Sequence, residues 1–342
     1  MSKSSSARIM KTSCALGTVL LLSAALASGC GTAKDPGNAA TTVLQPLSGS
    51  SPQAELFPRT IDMEGQAIMI PSKPQRIAAL SLDAAEAALE LVDPGRMAVV
   101  PKSIGDPSLA YRTAEGAQVP GKIAGATSLD PEQILAYQAD LLLMTKLHDK
   151  EREANELLLK SGIPIISLES WSTLHAVMNN IGVIGKSLGE DDKAKSITDE
   201  MRRKQDQVTK AVEGAVKPTV LVISPLGPGT GPYLIGPSNI SYDLVRLAGG
   251  NHAADSLGLK RTTKATMEQI IKADPDYLLL VEWQEGKLGD IEEMLQTPGW
   301  STLQAVQHDR VLRMPARKLL NPNRYNADTL QEIAKRLHPD KF

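Results

Sequence analysis

Ten side chains in this sequence combine aromatic faces with fixed positive charge: Lys102, Tyr111, Arg112, Lys146, Trp171, Tyr233, Trp283, Arg317, Arg324 and Tyr325. Aromatic rings stack on or cover a planar or amphipathic molecule, while ammonium and guanidinium groups neutralise carboxylates or an anionic chelate. Aromatic residues make up only 3% of the chain, so five of them in this company form a candidate ligand-binding set. Signs of catalysis are missing. There is no Gly-x-Ser-x-Gly nucleophile elbow of the kind a secreted α/β hydrolase needs. The glycines Gly227, Gly229 and Gly231 lack the Lys and Ser/Thr that complete a phosphate loop, and read as a shaped turn. The five histidines (His148, His175, His252, His308 and His338) have no paired spacing, and there are only two cysteines, so a direct metal site is not expected.

The ten residues lie in stretches that follow apolar, β-type runs: residues 81–83, 101–113, 145–149, 169–172, 225–233, 282–287 and 315–325. Strands are predicted over 76–80, 97–100, 141–144 and 164–168, with helical patterns over 83–91, 130–136 and 151–159 between them. That alternation implies α/β architecture with mainly parallel sheets flanked by helices. From 173 to 212 no strand pattern occurs. Leu174, Val177, Met178, Ile181, Ile184 and Leu188 recur at helical spacing, Gly189 ends that helix, and a charged helix follows over 191–212. Alternation resumes from 219 and closes with a helix over 326–337. The simplest reading is two α/β lobes joined by a helical segment. Ligands of open α/β sheets sit outside the carboxyl ends of the strands, which are where the ten residues fall.

The N-terminus reads as an export signal. Lys3, Arg8 and Lys11 precede an apolar run over 14–27, too short to span a bilayer, which ends in Leu26-Ala27-Ser28-Gly29-Cys30. The ending resembles a bacterial lipobox, with Cys30 as the acylated first residue of the mature chain. Residues 1–29 are then a signal peptide, and 30–52, rich in Thr, Ala, Gly, Ser and Pro, a flexible tether. Removing the signal takes three positive charges and moves the formal charge from −2 to −5, which leaves no electrostatic footprint for nucleic acid. The expected location is extracytoplasmic, lipid-anchored to the cell membrane. Only Cys30 remains after processing, so no intrachain disulfide is expected and stability rests on core burial.

At an offset of 136 residues, Glu132-Gln133-Ile134-Leu135 matches Glu268-Gln269-Ile270-Ile271, and Asp140-Leu141-Leu142-Leu143-Met144 matches Asp276-Tyr277-Leu278-Leu279-Leu280. With Pro74-Gln75-Arg76-Ile77, Ser128-Leu129-Asp130-Pro131-Glu132, Leu247-Ala248-Gly249-Gly250-Asn251 and Trp300-Ser301-Thr302-Leu303-Gln304, the ordered set resembles the periplasmic-binding-protein family for iron-siderophores, haem and cobalamin. The resemblance covers about residues 55–342. It implies two lobes, over 53–172 and 215–342, joined through 173–214 by a long rigid helix, with the ligand cleft between them. It implies that Glu132 and Glu268 dock onto arginines of an ABC importer's permease subunits. It implies a non-enzymatic, monomeric carrier without a cofactor, whose cargo is a ferric siderophore or similar metal chelate. A corrinoid, haem or an oxyanion is the alternative cargo.

Overall fold

The computed structural model describes residues 57–342 except 64, 126–128, 146–156, 169, 225–231 and 284–288. Strands β1 (Arg59–Met63) and β2 (Gln66–Ile70) form an antiparallel hairpin that the apolar alternation from residue 75 onward does not announce. Strands β3 (Ile77–Ala79), β4 (Met97–Pro101), β5 (Gly121–Ile123), β6 (Leu141–Thr145) and β7 (Ile165–Leu168) build a wholly parallel sheet in the order β5-β4-β3-β6-β7. Helices α1 (Leu82–Leu91), α2 (Thr113–Gln118) and α3 (Pro131–Ala136) are interleaved with these strands. The helix expected over 151–159 falls largely outside the described residues.

Two helices follow, α4 (Leu174–Leu188) and α5 (Asp191–Ala211), the second an unbroken run of 21 residues within the expected connection. Thr173 caps α4 by accepting the Ala176 N–H at 3.1 Å. Gly189, at φ +69°, ends it in the left-handed conformation that glycine adopts without strain. All six apolar residues of the α4 stripe are buried. Gly185 allows the close approach of the two helices: a Cβ there would stand 2.2 Å from the Cβ of Ala194.

The second sheet comprises β8 (Thr219–Ser224), β9 (Tyr233–Leu234), β10 (Asn251–His252), β11 (Thr263–Lys264), β12 (Tyr277–Glu282) and β13 (Val311–Pro315). Its order is β11-β9-β8-β12-β13, with β10 paired to the start of β8. The central pairs β8–β12 and β12–β13 are parallel, whereas β9 is antiparallel to both its neighbours. Between these strands run α6 (Ile240–Leu247), α7 (Ala253–Ser256), α8 (Met267–Ala273), α9 (Gly289–Gln296) and α10 (Gln304–Gln307). The chain closes with α11 (Ala316–Leu319) and α12 (Asn326–Leu337).

Alternation along the buried strands sorts side chains onto two faces. In β6, Leu141 and Leu143 join one apolar cluster while Leu142 and Met144 join another. In β12, Leu279 and Val281 join the first cluster and Leu278 and Leu280 a third. The first cluster is shared: it runs from the inner face of one sheet through α4 and α5 to the inner face of the other and to α12.

The offset of 136 residues is structural. Asp130 and Thr266 cap α3 and α8, and Thr266 with Gln269 completes a capping box. Gln138 and Asp274 both take positive φ in the turn that follows. The Asp140 carboxylate accepts the N–H groups of Gln75 and Arg76 at 2.7 and 3.0 Å, just ahead of β3. The Asp276 carboxylate accepts the N–H and hydroxyl of Thr219 at 2.7 and 2.8 Å, at the start of β8. Each aspartate clamps two central strands into register. Asp276→Ala leaves the half-buried donors of Thr219 unpaired and is expected to cost about 1–3 kcal/mol, whereas Asp140→Ala frees the N–H groups of the exposed Gln75 and Arg76 to water and is expected to cost about 0.5–1.5 kcal/mol. Urea unfolding checks this, and an unchanged midpoint for either variant removes the clamp from the account.

Candidate functional site

The carboxyl ends of β3, β4, β6 and β7 present one sheet edge, and those of β8, β12 and β13 the other. On the first edge a polar cluster forms around Thr145, the last residue of β6. Its Oγ1 lies 3.1 Å from the Ser81 hydroxyl, accepts the Trp171 indole N–H at 3.0 Å and lies 3.3 Å from the Asp83 carboxyl. Burial raises the Asp83 pKa, against hydrogen bonds from Ser81, Ala84 and Thr145 that lower it. A raised carboxyl keeps its proton more readily and can act as a donor. The second edge repeats the motif in reduced form: the Trp283 indole N–H donates to the hydroxyl of Ser224, the last residue of β8, at 2.8 Å. Trp171 is 4% exposed and packed into the core, and Trp283 is half-buried, so the first offers no open stacking face.

The two edges meet in a belt of contacts between residues 106–112 and 316–325. The Arg317 and Asn321 side chains donate to the carbonyls of Pro107 and Leu109, each at 2.6 Å, and the Arg317 N–H donates to Ser108 at 2.8 Å. The Tyr111 and Tyr325 rings lie 4.3 Å apart between centroids, and the Arg317 guanidinium stands 5.4 Å over Tyr111. Arg112 pairs with Glu90 and, at 2.8 Å, with Glu115. Arg324 pairs with Glu200 of α5 at 2.7 Å and with Glu90 at 3.6 Å. Burial pushes the Tyr111 hydroxyl up to about 12. Tyr111, Arg112, Arg317, Arg324 and Tyr325 are thereby brought together, with their charges and rings turned on one another. Lys102 is exposed just beyond β4, Tyr233 is half-buried in β9, and Lys146 lies outside the described residues.

Two carboxylates that sequence reasoning passed over organise this belt. Glu86 and Glu90 sit on α1 and are 4% and 9% exposed. Glu86 accepts the N–H groups of Tyr111 and Arg112 at 2.8 and 2.7 Å. The available signal was their setting: α1 is otherwise mostly Ala and Leu, with no polar face to carry them into water. Among the described residues no group of three or more His, Cys, Asp or Glu is placed to hold a metal ion. A cavity of about 500 Å³ lies between β2 and the segment 162–167, lined by Ile68, Met144 and Ile163 among others and by none of the ten candidate residues.

Glu132 and Glu268 occupy the same place on α3 and α8, the second residue after a side-chain cap, and both are exposed. Each helix leads back to the amino end of the next strand, β6 or β12, so both glutamates stand towards the opposite, carboxyl edge of their sheets. An acidic residue is stabilised there by the helix dipole, and its carboxylate remains available to a partner.

Burial pushes the Glu86 carboxyl from 4.5 up to about 7, against the two backbone N–H groups that lower it. The folded state therefore holds this proton more tightly than the unfolded chain does between those two values. Stability from this group falls as pH rises through that window, by about 3 kcal/mol, and levels off above it. Glu86→Gln keeps an acceptor for the two N–H groups and removes the charge, so it is expected to flatten that part of the pH profile. Urea titrations between pH 5 and pH 8 check this, and a slope equal to the parent's would show that Glu86 ionises freely.

The sequence profile of the periplasmic binding protein family matches residues 77–318. The chain is 23% identical over 339 residues to YvrC, an ABC transporter substrate-binding lipoprotein of Bacillus subtilis, covering 97% of this chain and 99% of that one. It is 28% identical over 225 residues to a cobalamin-binding protein of Halobacterium salinarum, covering 64% of this chain and 57% of the relative. Its fold matches the haem-binding protein RhuT of Roseiflexus with a TM-score of 0.66, at 19% identity, over 78% of this chain and 99% of RhuT. With two α/β sheets joined by a helical connection and a match through most of its length, the chain belongs to the periplasmic binding protein family, the non-enzymatic solute-binding components of ABC importers.

Proposed function

We propose that the mature protein is a monomeric, lipid-anchored receptor that captures a bulky metal chelate and presents it to the permease subunits of an ABC importer. The reading takes lobes over 53–172 and 215–342, joined through 173–214, with the cargo held between the two sheet edges. The observation that carries it is the pairing of those edges: each has an indole N–H seated on a strand-end hydroxyl, Trp171 on Thr145 and Trp283 on Ser224. Such edges offer apolar surface with a few placed polar groups, the usual character of a small-molecule site.

The cargo bound by relatives supports a chelate of the haem or corrinoid kind, and the family resemblance adds ferric siderophores. The case for an anionic siderophore over the others weakens, because Arg112, Arg317 and Arg324 are engaged with carboxylates and carbonyls. For the same reason an oxyanion is the weaker reading. Anchoring through Cys30, which lies outside the described residues, is supported by the lipoprotein character of YvrC. No described helix is long and apolar enough to cross a membrane. One chain carries both Glu132 and Glu268, so a monomer suffices for two-point docking.

Titration with ferric siderophores, haemin, cobalamin and molybdate, followed by intrinsic fluorescence, tests the cargo class. A chelate is expected to alter emission in the parent and in a Trp300→Phe variant, because Trp300 is buried in the outer core of the second sheet. The response is expected to shrink when Trp283 is replaced by Phe. Silence towards every chelate would sink the reading. Reversing both docking charges, Glu132→Arg with Glu268→Arg, is expected to abolish chelate uptake in cells while leaving solution affinity unchanged; undiminished uptake contradicts the docking role.

A further inference from the structure

Few large apolar side chains are exposed among the described residues, yet two of them stand at matching positions of the internal repeat. Leu135 is 36% exposed and Ile271 44% exposed, and they are separated by the same 136 residues that relate the two glutamates. On α3 and α8 each follows its glutamate by three residues, which places the carboxylate and the apolar side chain on one helix face. The preceding residues, Ile134 and Ile270, are fully buried and fix which side of each helix faces the core. A single exposed leucine is unremarkable on a protein surface. The repetition of an acidic–apolar pair, at one register, on the same edge of both sheets, calls for a physical reason that burial within this chain does not supply.

We propose that Leu135 and Ile271 are the apolar halves of two equivalent docking points, each packing against a membrane-spanning subunit of the importer beside the basic group that meets its glutamate. The inference rests on the docking role of Glu132 and Glu268 given above and deepens it. A surface that presents one pair twice fits a partner that offers one pocket twice, as two equivalent permease subunits do. A second copy of this chain fits poorly, because it would set carboxylate against carboxylate. An anionic lipid surface is disfavoured by the same charge. The two halves have different tasks. Carboxylates act over distance and govern encounter, whereas an apolar side chain contributes only after water has left the contact and governs the lifetime of the complex.

The test uses the full chain without added cargo and the importer reconstituted in lipid nanodiscs, with association and dissociation rates read by interferometry. The double variant Leu135→Ser, Ile271→Ser is expected to dissociate on the order of tenfold faster, with its association rate and salt dependence intact. The double variant Glu132→Gln, Glu268→Gln is expected to associate more slowly and to lose salt dependence. Leu157→Ser and Val216→Ser, at exposed apolar positions without a partner in the repeat, are expected to change neither rate. Chelate affinity and urea midpoint serve to show that each variant is folded. If the glutamate variant is impaired and the Leu135/Ile271 variant is not, the inference is overturned and the docking role of the glutamates survives. If neither is impaired, the docking role itself has failed and the inference falls with it. Acceleration of the same size in the Leu157 or Val216 variant also overturns it, because the effect would then be general stickiness.

Discussion

The apolar cluster that passes from one sheet through α4 and α5 into the other is the interaction on which the remaining architecture depends. Without it the two sheets would be separate bodies on a linker. With it, any change of angle between them must shear buried side chains such as Ile181, Ile184, Ile197 and Met201 against their neighbours. Packed interiors resist that kind of displacement because they are as dense as organic crystals. The corner between the two helices is fastened as well. Arg96 pairs with Glu190 at 2.7 Å and donates to the carbonyls of Leu188 and Pro74, which satisfies an otherwise unpaired carbonyl at the end of α4.

The belt at the carboxyl edges is a second tie between the same halves, and it explains why so much of the expected ligand-binding chemistry is occupied. Arg317, Asn321 and Arg324 reach out from the end of the second sheet, and the first sheet answers with backbone carbonyls and Glu90. Glu86 holds the answering loop from beneath by its backbone. Two ties, one through the core and one across the edges, favour a cleft whose width changes little when cargo enters. In the proposed role that is useful, since a fixed separation between Glu132 and Glu268 lets both meet a partner at once without further ordering cost.

The internal repeat gives the two halves a common local logic in spite of different sheets. Caps at Asp130 and Thr266, left-handed turns at Gln138 and Asp274, and clamps at Asp140 and Asp276 recur in order. A short capped helix, a tight turn and a buried strand with an aspartate at its entrance form a unit whose parts constrain one another, so few substitutions are neutral at those places. Surface residues on the same unit are under no such packing constraint. The helix dipole accounts for an acidic residue at Glu132 and Glu268, whereas the agreement of Leu135 with Ile271 has no such local cause.

Sequence alone determined the class of fold, because the period of apolar residues is set by local geometry: runs such as Leu141-Leu142-Leu143-Met144 suit strands buried on both faces, and Leu174, Val177, Met178 and Ile181 suit one helix face. It also determined the repeat, the break at Gly189 and the position of both glutamates, all of which are written in consecutive residues. The hairpin β1–β2 and the antiparallel strand β9 escaped because their segments are short and their pairing partners are not signalled locally. Tertiary structure decided what the polar residues of the edges do. Whether Arg112 faces a ligand or Glu90, and whether Trp171 stacks on cargo or donates to Thr145, depends on which segments meet across distances of up to 213 residues in the chain. A charged or aromatic side chain in a loop carries no record of its partner, since electrostatic and hydrogen-bond partners are chosen in space.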